Sequence, residues 1–166
     1  MVEIKLVRTH HDAAVVSELA YEFIGWLRVR YPDRENEIDQ YLKDQRFEEQ
    51  IKDVLIHYTP PKGECLLALH DDAPVGLLML KRLDAGTCEM NRMFVREAAR
   101  GLGVGRSLVA GLKNRARDMG FASMVLSVLP RHYEALALYE TEGFRPDNWV
   151  GEVSDHDNAI HMRVDL

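Results

Sequence analysis

Three glycines spaced two apart, Gly101, Gly103 and Gly105, stand ahead of a stretch in which Leu108, Val109, Leu112, Ala116 and Met119 recur at helical spacing. Glycines at the mouth of a helix leave backbone N–H groups uncovered and converging, and the helix dipole adds positive potential, so the segment reads as an anion seat. Arg100 and Arg106 flank it and either add charge to that seat or are solvated arginines at a helix start. Two common phosphate loops do not fit. A Walker loop needs a four-residue gap between its glycines and ends in Gly-Lys-Ser/Thr, where this chain has Gly105-Arg106-Ser107. A dinucleotide fingerprint, GxGxxG, needs glycine at 106 and follows its strand directly, whereas 106 is arginine and the strand pattern before the loop ends at Val95.

Other chemistry-bearing residues form weaker patterns. His156, flanked by Asp155 and Asp157 and followed by His161, lacks a recognised metal-ligand spacing and reads as a solvated run, so no metal is expected. Cys65 and Cys88 are too few for a disulfide framework, match no CxxC spacing and have no adjacent base, which points to a reducing, cytoplasmic setting and to no thiol nucleophile. His10 and His11 read as surface, and Trp26 and Trp149 as core or cleft wall.

The elements that must position the loop follow from periodicity and punctuation. Val2 to Arg8 alternates apolar and charged residues as a first strand, and Thr9 with Asp12 resembles a capping box for a helix over about 12–30. A second helical pattern runs from Ile38 to Tyr58, divides near Asp44 and stops at Pro60-Pro61. Residues 64–70 and 75–83 form a hairpin turning at Asp71-Asp72-Ala73-Pro74, and 87–95 adds a further strand on which Glu89, Asn91 and Met93 share one face by period-two alternation. Then come the glycine loop with its helix, Gly120 as a left-handed cap, a strand over 121–128, a helix over 132–142 capped by Gly143, and a last strand over 159–164. The 166 residues, 46% apolar and 29% charged, fit one soluble domain over 1–166, and no apolar run approaches a membrane span. The net charge of -6 disfavours nucleic acid and anionic membrane as partners. Residues 96–118 nevertheless hold six bases and two acids, a local basic seat.

Arg100-Gly-Leu-Gly103-Val-Gly105 after a strand ending in Met93-Phe94-Val95 is an R-x-x-G-x-G pattern, and Ala135-Leu-Ala-Leu-Tyr139-Glu-Thr-Glu-Gly143-Phe144 is an A-x-x-L-Y-x-x-x-G-F pattern. Both resemble motifs of the GNAT superfamily of N-acetyltransferases, at the family's separation, and the element order resembles its fold along the whole chain. The resemblance implies an α+β, αβα-layered fold of the acyl-CoA N-acyltransferase type: a mixed, mostly antiparallel sheet of about six to seven strands with helices on both faces. It implies acetyl-CoA as acyl donor, with transfer to a primary amine by direct attack in a ternary complex. The diphosphate would rest on Gly101, Leu102, Gly103, Val104, Gly105, Arg106 and Ser107, helped by Arg100, with Gly103 and Gly105 letting the backbone approach. The cofactor arm would pair, like an added strand, with the backbone of Met93, Phe94 and Val95, whose N–H groups would polarise the thioester carbonyl.

By the same resemblance Glu89 would take the amine proton, directly or through water, and Tyr139 would protonate the departing thiolate. The alternatives are an outward-facing strand carboxylate and a core tyrosine. Asn91 would orient substrate if Glu89 faces the cleft. His132 stands where the family often carries asparagine, seven residues before the motif tyrosine, and either replaces its cofactor contact or only begins the helix. A non-catalytic acyl-CoA sensor module, or the same fold with another acyl group or acceptor, remains an alternative. Residues 32–58, on the side that walls the acceptor in the family, carry eight acids and four bases, which suits a cationic amine. Small amines, antibiotics, polyamines and protein N-termini are all candidates, and the family's frequent homodimers are compatible with the sequence.

Overall fold

A computed structural model describes residues 1–149 and 159–166, so the Asp155–Asp157 run lies outside the described residues. Seven strands form one sheet: β1 (Val2–Leu6), β2 (Gly63–His70), β3 (Ala73–Arg82), β4 (Thr87–Val95), β5 (Ser123–Val128), β6 (Arg145–Pro146) and β7 (Ile160–Asp165). Their order is β1-β2-β3-β4-β5-β7-β6, with β4 and β5 parallel and the other neighbours antiparallel. The β2–β3 reversal is tighter than its sequence suggests. Asp71 and Asp72 both take positive φ, 50° and 65°, and close a two-residue turn, which leaves Ala73 and Pro74 to start β3.

Helices cover both faces. On one lie α1 (His10–Arg30), α2 (Glu35–Asp44), α3 (Phe47–Lys52) and α4 (Val54–His57), packed on Cys65, Leu67, Leu77, Met79 and Phe94. The long second helical pattern thus breaks twice, and Arg46, at φ 52°, makes the break just beyond Asp44. On the other face α5 (Val104–Asp118) and α6 (Tyr133–Thr141) pack on Leu66, Leu78, Leu80, Cys88, Met90, Met124 and Leu126. The capping box forms as the sequence suggests, Thr9 Oγ1 accepting from the Asp12 N–H at 3.0 Å and Asp12 accepting in return from the Thr9 N–H at 3.2 Å. Among the described residues no helix is long and apolar enough to cross a membrane.

A buried carboxylate fixes α5, and with it the glycine loop, to the sheet. Glu64, fully buried on β2, accepts both outer nitrogens of Arg8 at 2.7 and 2.8 Å and two nitrogens of Arg115 on α5 at 3.1 and 2.9 Å. Burial alone would raise its pKa, but the guanidinium hydrogen bonds outweigh burial and hold the carboxyl below its ordinary value. The stability this adds is therefore complete above the unfolded-state value near 4.5 and is lost as pH falls through the lower folded-state value. Glu64→Gln should cost roughly 2–3 kcal/mol in urea unfolding at pH 7, short of a fully buried pair because both arginines keep some solvent access. The deficit should shrink as the pH is lowered below 4.5.

Candidate active site

The site begins with a defect in β4. Leu77 pairs with Phe94, but two residues on, Met79 pairs with Asn91, so β4 carries an extra residue. Arg92 absorbs it with φ 54°, a left-handed conformation that costs a non-glycine residue free energy. The bulge has a consequence that simple alternation misses. Cys88 and Met90 face α5, yet Phe94 faces α1, and Met93 packs toward the α5 side. Glu89 and Asn91 therefore share the α1 face, while Met93 lies across the sheet from them rather than on the same face.

Beyond the bulge the two parallel strands part. Their register covers only Thr87↔Ser123, Cys88↔Met124 and Glu89↔Val125, although β5 continues on β7 as far as Val128↔Ile160. The gap becomes a cleft of about 150 Å³ lined by Glu89, Asn91, Arg92, Leu126, His132 and Tyr139, among others. Glu89 reaches it from the α1 face and Tyr139 from the α5 and α6 face. The edge of β4 from Asn91 to Val95 has no pairing with β5, so its backbone can accept an extended ligand as an added strand.

At the end of that edge stands the glycine loop. Gly101 and Gly103 have φ of 79° and 83°, with open space where a Cβ would project. The helical ladder opens with the Ser107 N–H on the Gly103 carbonyl at 3.0 Å, so the N–H groups of Val104, Gly105 and Arg106 lie ahead of it. These features fit a diphosphate. A Cβ at Gly105 would come within 3.0 Å of Leu138 Cδ2 on α6, so glycine there also eases the close approach of α6 to α5. Arg100 is exposed and donates Nε to the Val95 carbonyl at 3.1 Å, while Arg106 stands 4.0 Å from Glu142. Arg106 is thus held by one long ion pair, and Arg100 by a backbone carbonyl.

Tyr139 is buried at 6% exposure against Phe144, and burial pushes its phenol above the ordinary value. His132 begins α6 as its N-cap but caps nothing with its side chain. Its ring lies edge-on to Trp26, centroids 4.8 Å apart, and its Nδ1 is 2.6 Å from the Tyr31 hydroxyl. Burial, with Arg30 nearby, lowers its pKa to about 4, while burial raises that of Tyr31 to about 12. A protonated phenol donating to Nδ1 leaves the imidazole hydrogen on Nε2. His10 and His11 are exposed, and both cysteines are buried, with burial raising the thiol of Cys88 to about 12 and that of Cys65 further. Trp149 lines the cleft and donates its indole N–H to the Leu126 carbonyl at 3.1 Å, and His161 accepts or donates at Ser127 Oγ, 2.9 Å away.

Sequence reasoning missed Arg92 and Tyr31. Arg92 left a signal, since it occupies an inward position of a strand that reads Cys88, Met90, Arg92, Phe94. With this geometry in place, comparison with known proteins is decisive. The model of the acetyltransferase (GNAT) family matches residues 20–144. The chain belongs to the GNAT acetyltransferase family. An uncharacterised N-acetyltransferase of Schizosaccharomyces pombe is 28% identical over 141 residues, covering 78% of this chain and 84% of the relative. The crystal structure of a GNAT acetyltransferase from Staphylococcus aureus superposes with a TM-score of 0.74 at 18% identity, over 100% of this chain and 99% of that one. The PaiA N-acetyltransferase from Thermoplasma acidophilum, solved in complex with coenzyme A, gives 0.73 at 16% identity, again over 100% and 99% of the two chains.

The His132 environment yields a direct test. In ¹H–¹⁵N NMR of the imidazoles, His132 should stay neutral in the Nε2–H form down to about pH 4. Because its folded-state pKa lies below the unfolded value of ~6.5, it should withdraw stability as pH falls from about 6.5 toward 4. A ring that titrates near 6.5 would contradict the burial described.

Proposed function

We propose that this GNAT acetyltransferase moves an acetyl group from acetyl-CoA to a primary amine by direct attack in a ternary complex. The observation that carries the reading is the parting of β4 and β5 beside the glycine-led start of α5, with Glu89 and Tyr139 entering the gap from opposite faces. Addition to the thioester carbonyl needs the amine and its base over one face of that carbonyl and a proton donor within reach of the sulfur, and a gap through the sheet supplies both approaches. Bound acetyl-CoA supplies an acyl group activated as a thioester.

The chain's own groups divide the remaining work. Backbone N–H groups of Gly101 to Arg106 hold the diphosphate, with Arg100 and Arg106 adding charge from solvent. The open edge at Met93, Phe94 and Val95 holds the arm, and an N–H there stabilises the carbonyl oxygen as negative charge develops. His132 Nε2–H offers a donor where the family often uses asparagine. Glu89 takes a proton from the amine, whose ordinary pKa of ~10.4 leaves it protonated at pH 7. That first proton passes from Glu89 to solvent; as the C–N bond forms and the C–S bond breaks, Glu89 takes the second proton of the nitrogen, Tyr139 gives its proton to the sulfur, and the proton on Glu89 then returns to Tyr139 through solvent. The raised phenol pKa keeps Tyr139 protonated until the thiolate emerges. An acyl-CoA sensor would need the glycine loop alone, and burial of an otherwise unused phenol at the cleft favours the enzyme.

Thiol release with an amine panel tests the reading. The protein should bind acetyl-CoA in calorimetry and release CoA with at least one amine. Tyr139→Phe should lower kcat roughly 10²-fold with little change in acetyl-CoA affinity, and Glu89→Gln should lower kcat similarly and flatten the acidic limb of the pH profile. Binding without thiol release across the panel would favour the sensor, and a fully active Tyr139→Phe would remove the acid assignment. Gly103→Val, which forces a β-branched residue to positive φ, should raise the KM for acetyl-CoA at least roughly tenfold.

A further inference from the structure

We propose that the acceptor amine carries a carboxylate and that Arg92 binds it. The proposal rests on the acetyl-transfer reading above and names the acceptor class of that same cleft. Arg92 is buried at 5% exposure, yet every partner it has among the described residues is uncharged. Its Nη1 donates to the Tyr58 hydroxyl at 2.6 Å and approaches Met79 Sδ at 3.7 Å, its Nη2 donates to Gln50 Oε1 at 3.1 Å, and the rings of Phe47 and Tyr58 flank it. A buried guanidinium without a counter-ion is costly, and here it sits on a strained bulge.

The pattern of partners says which edge is spare. The Tyr58 hydroxyl donates onward to Gln50 Oε1 at 2.9 Å, so Nη1, Tyr58, Gln50 and Nη2 close a ring around one edge of the fork. Tyr58 and Gln50 wall a neighbouring pocket with His57, Lys62 and Arg82. The opposite edge is formed by Nε–H and the second Nη2 hydrogen, and Nε is buried with no partner. That edge presents two parallel donors, the arrangement that a planar carboxylate takes side-on. On the preceding residue of the strand, Asn91 Oδ1 and Nδ2 are likewise buried and unpartnered. Arg92 and Asn91 both line the cleft, as does Glu89, the base in the reading above.

Charges in the cleft agree. Among the described residues those lining it are Arg34, which pairs with Glu37 at 3.3 Å, Lys81, Arg92 and Glu89, so both signs that a zwitterion needs are present. Of the eight acids between residues 32 and 58, Glu37 is the one that lines it. Others pair elsewhere, Asp33 with Arg131, Asp39 with Arg28 and Glu49 with Arg46. The acid excess that suited a cationic acceptor therefore belongs mainly to the outer surface, and the ammonium end of an amino acid needs only Glu89.

Calorimetric titration of the CoA-saturated protein with the twenty standard amino acids, and with the same compounds as α-carboxamides, tests this. At least one amino acid should bind, and the amide in place of the carboxylate it presents to Arg92 should weaken it at least tenfold, with asparagine and glutamine as the side-chain amides of aspartate and glutamate. In Arg92→Met that contrast should fall below about threefold while thermal melting shows a folded protein, and Arg92→Lys should recover only part of it. Acids and amides that bind alike, no binding by any amino acid, or a contrast that survives Arg92→Met would each overturn the proposal. If the variants do not fold, the acid-to-amide contrast in the unmodified protein decides alone. Acetyl-CoA binding and thiol release with uncharged amines would stand through such a failure, which separates it from failure of the acetyl-transfer reading.

Discussion

One extra residue in β4 governs the functional half of this molecule. A regular strand would keep its hydrogen bonds to β5 along its whole length, and the sheet would be closed. Arg92 in a left-handed conformation turns the strand so that pairing stops at Glu89 and Val125. The same turn moves Phe94 to the α1 face and Met93 to the α5 face, which separates Glu89 and Asn91 from Met93. It frees the backbone edge that leads to Gly101, and it buries a guanidinium beside the gap. Cleft, ligand edge and spare donors share this one origin.

The rest of the fold holds that defect in place. On one face α5 is locked through the Arg8–Glu64–Arg115 cluster and through the close approach of Gly105 to Leu138, which brings α6 and Tyr139 against it. On the other face α1 and the short helices α3 and α4 deliver Phe47, Gln50 and Tyr58 to one side of Arg92. Polar groups are satisfied where they serve architecture, as at Glu64. They are unsatisfied at Asn91 and Arg92, where the strands part. Desolvation costs concentrated at a cleft are recovered when a ligand supplies the missing partners.

Much of this was legible in the sequence. The two motifs, the capping box at Thr9 and the glycine stops at 120 and 143 specify local geometry through residue type, so they survive in the folded chain with boundaries shifted by a residue or two. The bulge was not legible, because a strand alternation that continues without a break conceals a change of face: β4 alternates in burial throughout, yet its buried residues change sides at Arg92. The division of the second helical segment was placed correctly near Asp44, but the burial of Gln50 and Tyr58 against a distant strand depends on tertiary packing. Charge counts along residues 32–58 likewise do not tell which of those acids reach the cleft, where Glu37 is the one that lines it among the described residues.

The central claim is that the opened edge of β4 and the start of α5 form one continuous seat for acetyl-CoA. Amide hydrogen exchange with and without CoA tests it most directly. Protection should rise together at residues 91–95 and 101–107, the free edge and the helix start, with little change at the β1–β2 pairing on the far side of the sheet. Protection confined to other elements, or a glycine loop that exchanges equally fast with CoA bound, would contradict the account.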